Sequence, residues 1–384
     1  MKIIIATALA VLGLAVIHFI YDKLWNKNLE VSIDFDREVL YESERNTLRE
    51  VISNRKYLPI PVLQVKFSIT KSFLFERQDN ASVTDNYYRN EFFSVMPFQK
   101  ITRSYPFRCS RRGLYRMNRM DIIARSFFLD KKMIESVEHE ASVCVLPRKI
   151  DKMDVPTSVN QLLGDIEKNM HINEDPFTFA GIRDYQPYDN MHSINWKVTA
   201  RLGNLQVNTF NTTFSKKIVL LMNVEANAVR RSQDIAEWVI RIASHLSSCF
   251  IKAQIPVALY TNGVDVVDKI SPHIEAGSDM SHIRTIEMAL ARIDLKERCK
   301  SFCELLLENV VTSSDTVEYL IISNYRKQDI TDIYERLKKD GHAIHFVCPE
   351  FVNATVEDCR NTKDYTWWMV SDESETISDI RGLY

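Results

Sequence analysis

The run KIVLLMNV, residues 217–224, carries five consecutive apolar side chains from Ile218 to Met222. Successive side chains of a strand point to opposite faces, so a strand of this composition is buried on both sides and calls for helices above and below its sheet. The sequence that follows supplies them. Residues 228–252 repeat Ile235, Trp238, Val239, Ile242, Leu246, Cys249 and Phe250 at helical spacing. IPVALYT and VDVVDKI, joined at Asn262-Gly263, read as a strand pair. Helical patterns around SHIRTIEMALARI and FCELLLENV, the strand TVEYLIIS, the helix ITDIYERLKKDG and the strand AIHFVCP complete an alternation that predicts an α/β domain with a mostly parallel sheet over residues 216–384. Its ligand crevice is expected at the carboxyl ends of the strands, where Asn223 and Ser323-Asn324 fall.

The N-terminal part follows another period. LEVSIDFD and LQVKFSIT alternate apolar and polar residues, and EFFSVMPF and ASVCVLP continue the β-rich pattern, which predicts an antiparallel sandwich over residues 28–150. Residues 151–215 read as a partly helical connector. Ahead of the sandwich, residues 3–20 form an uncharged apolar run of 18, close to the ~20 residues that cross a bilayer, and no small-residue cleavage site follows it. A single-pass transmembrane anchor with its flank over residues 1–27 is therefore expected.

Several chemistries are excluded. The nine glycines are too dispersed for a GxGxxG or Walker A loop, and HExxH, GxSxG and kinase signatures are absent, so no catalytic residue is assigned. The seven cysteines show no zinc spacing and suit reduced thiols, which places the body on the cytoplasmic side. Cys299 and Cys303, at i, i+4 spacing, read as core. The net charge of −2 names no polyanion partner. The ten basic residues between Lys100 and Lys132, Arg103, Arg108, Arg111, Arg112, Arg116, Arg119 and Arg125 among them, leave a solvated sandwich face or a surface for anionic lipid as readings, while nucleic acid lacks a recognition motif.

Upstream of the buried strand, GIRDYQPYDNMHSINWKVTARLGNLQVNTF concentrates charged and aromatic side chains. Gly181, Arg183, Asp184, Tyr185, Pro187, Asp189, Ile194, Trp196, Lys197, Ala200, Arg201 and Leu205 fall on a pattern that resembles the signature of the membrane-anchored bacterial domain-of-unknown-function family 58. The resemblance extends to the N-terminal apolar run, the sandwich and the CSRRGLYRM strand. Tyr188 and Asn195 depart from the family's glycine and aspartate. Physically, the segment suits a network in which Arg183 or Arg201 forks onto Asp184 or Asp189 under aromatic cover, or a protein-binding hot spot.

The resemblance implies a von Willebrand factor A-like C-terminal domain and a functional link with MoxR-type AAA+ ATPases. Such domains place a divalent cation at the crevice through oxygen ligands. Here Asn223, Glu225 and Asn227 occupy the positions after the first strand and Asn324 that of a later aspartate, so the anionic ligand set is reduced to one carboxylate. The expectation is a crevice without a metal cofactor, with at most weak Mg²⁺ binding, in which Asn223, Glu225, Asn227, Ser323 and Asn324 meet a protein partner; a metal-dependent adhesion or enzyme-like site is the alternative.

Overall fold

The computed structural model describes residues 2–75, 81–83, 86–126, 131–171, 179–187, 189, 191–210, 216–225, 232–297, 300–310, 317–351 and 365–370. It divides into two compact units, Met1–Arg148 and Lys149–Tyr384.

The first unit opens with helix α1 (Lys2–Leu24), in which the stretch Thr7–Leu24 has a mean hydropathy of 1.5 and is long and apolar enough to cross a membrane. Ten strands follow: β1 (Leu29–Phe35), β2 (Val39–Tyr41), β3 (Arg45–Asn54), β4 (Ile60–Thr70), β5 (Phe73–Phe75), β6 (Ala81–Val83), β7 (Asn86–Val95), β8 (Lys100–Cys109), β9 (Gly113–Arg125) and β10 (Lys132–Leu146). They form sheets of order β1-β3-β8-β5 and β2-β10-β9-β4-β7-β6, antiparallel throughout except for β2 beside β10. Alternation puts Leu48 and Ile52 of one sheet against Leu63, Val65 and Phe67 of the other in a shared core. Pro61 is accommodated where the β4–β7 register shifts between Ile60 and Leu63, a bulge that tolerates a residue without an amide proton. Tyr21 in the last turn of α1 and Trp25 just after it also enter this core.

The second unit begins with α2 (Thr157–His171), whose Val159, Leu163 and Ile166 lie in the α/β core. An antiparallel ribbon, β11 (Phe179–Asp184) with β12 (Gln206–Phe210), encloses α3 (Trp196–Leu202). The main sheet then runs β13 (Lys217–Met222), α4 (Ser232–Lys252), β14 (Val257–Thr261), β15 (Val264–Asp265), β16 (His273–Gly277), α5 (Met280–Ala291), β17 (Ile293–Asp294), α6 (Phe302–Val310), β18 (Val317–Ile322), α7 (Gln328–Lys339), β19 (Ile344–Phe351) and β20 (Thr366–Val370). Its strand order is β16-β14-β13-β18-β19-β20, parallel except for β16. The apolar run of β13 divides as its two-residue period requires: Ile218, Leu220 and Met222 pack with α2, α4 and α5, and Val219 and Leu221 with α6 and α7.

The expected pairing of residues 257–261 with the segment after Gly263 does not form. β14 pairs with β16, and β15 pairs with β17. Gly263 is held by close approach instead of by a hairpin, since a Cβ there would lie 2.7 Å from Ile293 Cγ2. Among the described cysteines, Cys109, Cys144, Cys249, Cys303 and Cys348 form no disulfide, and Cys299 lies outside the described residues.

Candidate functional site

The order of the strands reverses at β13, whose neighbours are β14, the next main-sheet strand along the chain, on one side and β18 on the other. In an open α/β sheet this reversal opens a crevice at the carboxyl ends of the flanking strands. Three side chains meet there, one from the end of each strand. Asn223 Nδ2 donates to Ser323 Oγ (3.0 Å), and Asn262 Nδ2 donates to Asn223 Oδ1 (2.8 Å) and to the Lys300 carbonyl (3.2 Å). The remaining acceptors are used as well: Asn262 Oδ1 takes the Val224 amide, Asn223 Oδ1 the Glu225 amide, and Ser323 Oγ the Tyr325 amide. Asn223, Asn262 and Ser323 are fully buried. Burial of this much amide and hydroxyl surface is tolerable because each group has a partner.

The other crevice candidates separate from this cluster. Asn324 donates to the Pro349 carbonyl (2.8 Å) and Glu350 (3.2 Å), at the end of β19, where Arg326 also reaches Glu350 (2.7 Å). Glu225 is half-buried, and burial raises its carboxyl pKa against the opposing effect of the Phe302 amide, which it accepts at the start of α6. Asp329 and Lys327 act on the same carboxyl, and Cys303 Sγ lies 3.6 Å from Asp329. Asn227 lies outside the described residues. Direct contact of a partner with Asn223 or Ser323 is thus not available in this arrangement, and among the described residues expected at the crevice Glu225 keeps solvent access. No three His, Cys, Asp or Glu side chains among the described residues are grouped to hold a metal ion.

Asn262 was not among the residues expected here. The Asn-Gly dipeptide reads as a hairpin turn, whereas the useful signal was its position: it ends a buried strand on the same edge as Asn223 and Ser323.

The segment 181–210 builds a second constellation. Arg183 forks onto Asp189 through two bonds of 2.6 Å, and the Gln186 amide adds a third at 2.8 Å, so Arg183 foremost holds the Asp189 carboxyl below its ordinary pKa. Asp184 accepts from Gln206 across the ribbon. Asn195 caps α3 by accepting the Val198 amide (3.1 Å) and donates to Asn208 on β12 (2.8 Å). Asparagine ranks with aspartate as a cap, and its amide supplies the extra donor. Gly203 ends the helix at φ +77°, in the left-handed region that favours glycine. Gly181 meets no comparable demand, since a Cβ there would be in ordinary contact with Thr209 at 3.5 Å.

Of the aromatic residues expected to cover this framework, Trp196 does not close over it. Trp196 is 65% exposed, and Met191 (70%), Leu202 (63%), Leu205 and Ile182 are exposed with it. Lys197 and Arg201 are also exposed, as is Pro187, while Tyr185 is half-buried and Tyr188 lies outside the described residues. Of the alternatives expected for the fork, the structure selects Arg183 with Asp189.

Three solved structures illustrate the partial likenesses of the chain. A CARDB domain from Pyrococcus furiosus, in complex with di-metal ions, is 12% identical over 31% of this chain and 94% of its own, with a TM-score of 0.20. A type I cohesin–dockerin complex from Clostridium thermocellum is 9% identical over 31% and 100%, at 0.23, and a non-cellulosomal cohesin from Archaeoglobus fulgidus is 10% identical over 30% and 91%, at 0.22. No curated protein matches the chain. The similarity in sequence is of another kind: residues 181–341, from the Arg183–Asp189 ribbon to the end of α7, match the family described as "Protein of unknown function DUF58".

Proposed function

We propose that the protein is a membrane-anchored, non-enzymatic interaction module that presents a von Willebrand factor A-like domain to a protein partner on the cytoplasmic side of the membrane. The observation that carries the reading is the exposed apolar set Trp196, Leu202 and Met191 on a framework fixed by Arg183–Asp189 and Asn195–Asn208. Tryptophan exposed on a rigid element, flanked by Lys197 and Arg201, is the composition of an interface anchor. The crevice supports this role by holding three strand ends together through amide hydrogen bonds. An amide donor, Asn262 Nδ2, lies against Asn223 Oδ1, where a hard cation would need converging oxygens, so the domain works without Mg²⁺ in this reading. The strand order, with its antiparallel edge at β16, supports the von Willebrand assignment. The resemblance names a MoxR-type AAA+ ATPase as the partner.

A second reading, docking at the crevice rim, is favoured by the solvent access of Glu225 beside Asp329 and Lys327. Co-purification from the native membrane distinguishes the two. The ATPase is expected to be recovered with the unmodified protein in EDTA, and its recovery is expected to fall about tenfold or more, ~1.4 kcal/mol, in the Trp196→Ala, Leu202→Ala double variant. Loss in Glu225→Ala with retention in the double variant would move the interface to the rim. Release by EDTA alone, with no ATP added, would restore the metal-dependent site.

A further inference from the structure

The lower end of the sandwich is built around the end of α1. Tyr21 of the helix donates its hydroxyl proton to the Pro59 carbonyl, Lys56 Nζ donates to the carbonyls of Trp25 and Lys27, and the Arg55 amide donates to the Asn28 carbonyl (2.9 Å). Lys131 pairs with Asp22 at 2.5 Å. The loop between β3 and β4, residues 55–59, therefore meets the last turn of the helix at Tyr21, and Lys56 satisfies carbonyls of the segment that follows it.

A second loop is tied beside the first. Asn54 Nδ2 donates to both the Leu58 and Met96 carbonyls, at 3.0 Å each, which binds the 55–59 loop to the turn Met96–Gln99 between β7 and β8. On the joined loops Tyr57 is 86% exposed, Phe98 59% and Met96 59%, and the rings of Tyr57 and Phe98 meet edge to face at 4.7 Å. Phe98 has φ +55°, the backbone region in which this third turn position ordinarily selects glycine. A large aromatic ring is thus held outward, off the sandwich core, at a strained position. Lys27, Arg55, Lys56 and Lys100 lie on or next to these segments in the chain, Arg55 paired with Glu30 at 3.0 Å and Lys56 turned onto the Trp25 and Lys27 carbonyls.

Tyrosine and other amphipathic aromatics collect at the headgroup level of membrane proteins, and lysines beside a span face anionic headgroups. We propose that Tyr57, Phe98 and Met96 form a membrane seat: they bed in the headgroup region of the bilayer that α1 crosses, so that the sandwich rests on the membrane surface at this end. Continuity with the helix selects the occupant, because the loop that carries Tyr57 is bonded directly to the last turn of α1. The proposal rests on the reading of α1 as a membrane span and is independent of the partner surface at Trp196.

Full-length protein reconstituted in vesicles of phosphatidylcholine and phosphatidylglycerol tests it. Tryptophan is introduced singly as Phe98→Trp or Tyr57→Trp at the seat, Phe19→Trp in α1, and Leu74→Trp at the opposite end of β8, where Leu74 pairs with Arg108. The emission added over the unmodified protein is compared in lipids with and without bromine near the headgroup end of the acyl chains. Loss of most of the added emission at positions 19, 57 and 98, with none at 74, is expected. Quenching at 19 but not at 57 and 98 overturns the seat and leaves the span standing. Absence of quenching at 19 overturns the span and the seat with it, and equal quenching at 74 replaces the seat by general adhesion of the sandwich. Protection at 98 from both brominated lipid and aqueous acrylamide assigns the ring to a protein contact and overturns the lipid occupant.

Discussion

Asn262 holds the crevice through both ends of one amide. Replacing it with alanine removes the donor to Asn223 and Lys300 and the acceptor of the half-buried Val224 amide, and leaves the buried Asn223 Oδ1 with the Glu225 amide alone. A cost of about 2–3 kcal/mol is expected, read as a lower urea midpoint for the second unit, with the sandwich unaffected. Asn223→Ala is expected to fall in the same range and to be strongly non-additive with it, because the two side chains share one network. Part of this cluster was legible in the sequence. Asn223 and Ser323 end strands whose apolar runs are unmistakable, and the rule for strand-end crevices places them together. Asn262 ends such a strand too, but its Gly263 neighbour gives the stronger local signal, and only the packing of Ile293 against Gly263 reveals why that glycine is there. Asn324 belongs to the same edge by sequence and yet turns to Glu350, a choice made by the end of β19 and invisible from its own neighbours.

The ribbon and α3 show which elements a one-dimensional reading reaches. Elements with continuous apolar runs or strong helical period, β13, β18, α4, α6 and α7, were all expected close to their observed bounds. β16 was not, because its exposed edge position leaves HIEAG without an apolar alternation to detect. β20, TWWMV, is a short strand with no flanking repeat, and its membership of the sheet is set by pairing with β19. In the ribbon the charged fork was legible as a type of interaction, while its partners depended on the turn at residues 185–189. Gly203 gives the element its own test. Alanine there must adopt φ near +77°, at a cost of about 1 kcal/mol or slightly more. Faster hydrogen exchange of the Thr199 and Gly203 amides, with little change in the main sheet, is the expected signature, since an isolated seven-residue helix relies on its caps.

At the scale of the whole molecule the sandwich carries a buried ionic group that makes its stability depend on pH. Glu50 and Glu91 face Arg89 and Arg103 between the sheets; Tyr105 donates to Glu50 at 2.8 Å, Arg103 pairs with Glu91 at 2.9 Å, and the Arg89 guanidinium stacks 4.2 Å from the Tyr105 ring. Burial above all raises the Glu50 pKa from 4.5 to about 7, with the hydrogen bond from Tyr105 opposing it. The folded state therefore holds a proton that the unfolded chain has lost over this interval. The associated stability is complete below about pH 4.5 and is lost as pH rises through about 7, a change on the order of 3 kcal/mol. Hydrogen exchange of the β3 and β8 amides across this range measures it, and Glu50→Gln is expected to flatten the slope while keeping the Tyr105 bond. The sandwich was legible as a fold from its two-residue period, but this pair of carboxylates was not, because Glu50 on β3 and Glu91 on β7 belong to opposite sheets that only the packing brings together.

The burial of Tyr21 and Trp25 within the sandwich core also fixes the end of α1 to the first unit. A span joined to its body by a loose tether is a leash, and the body sweeps a hemisphere. Here the helix passes into the body without slack, as a mast passes into a deck. If α1 spans a bilayer as proposed, its tilt or rotation is transmitted to the whole sandwich, which then turns with the lipid around the span instead of drifting above it.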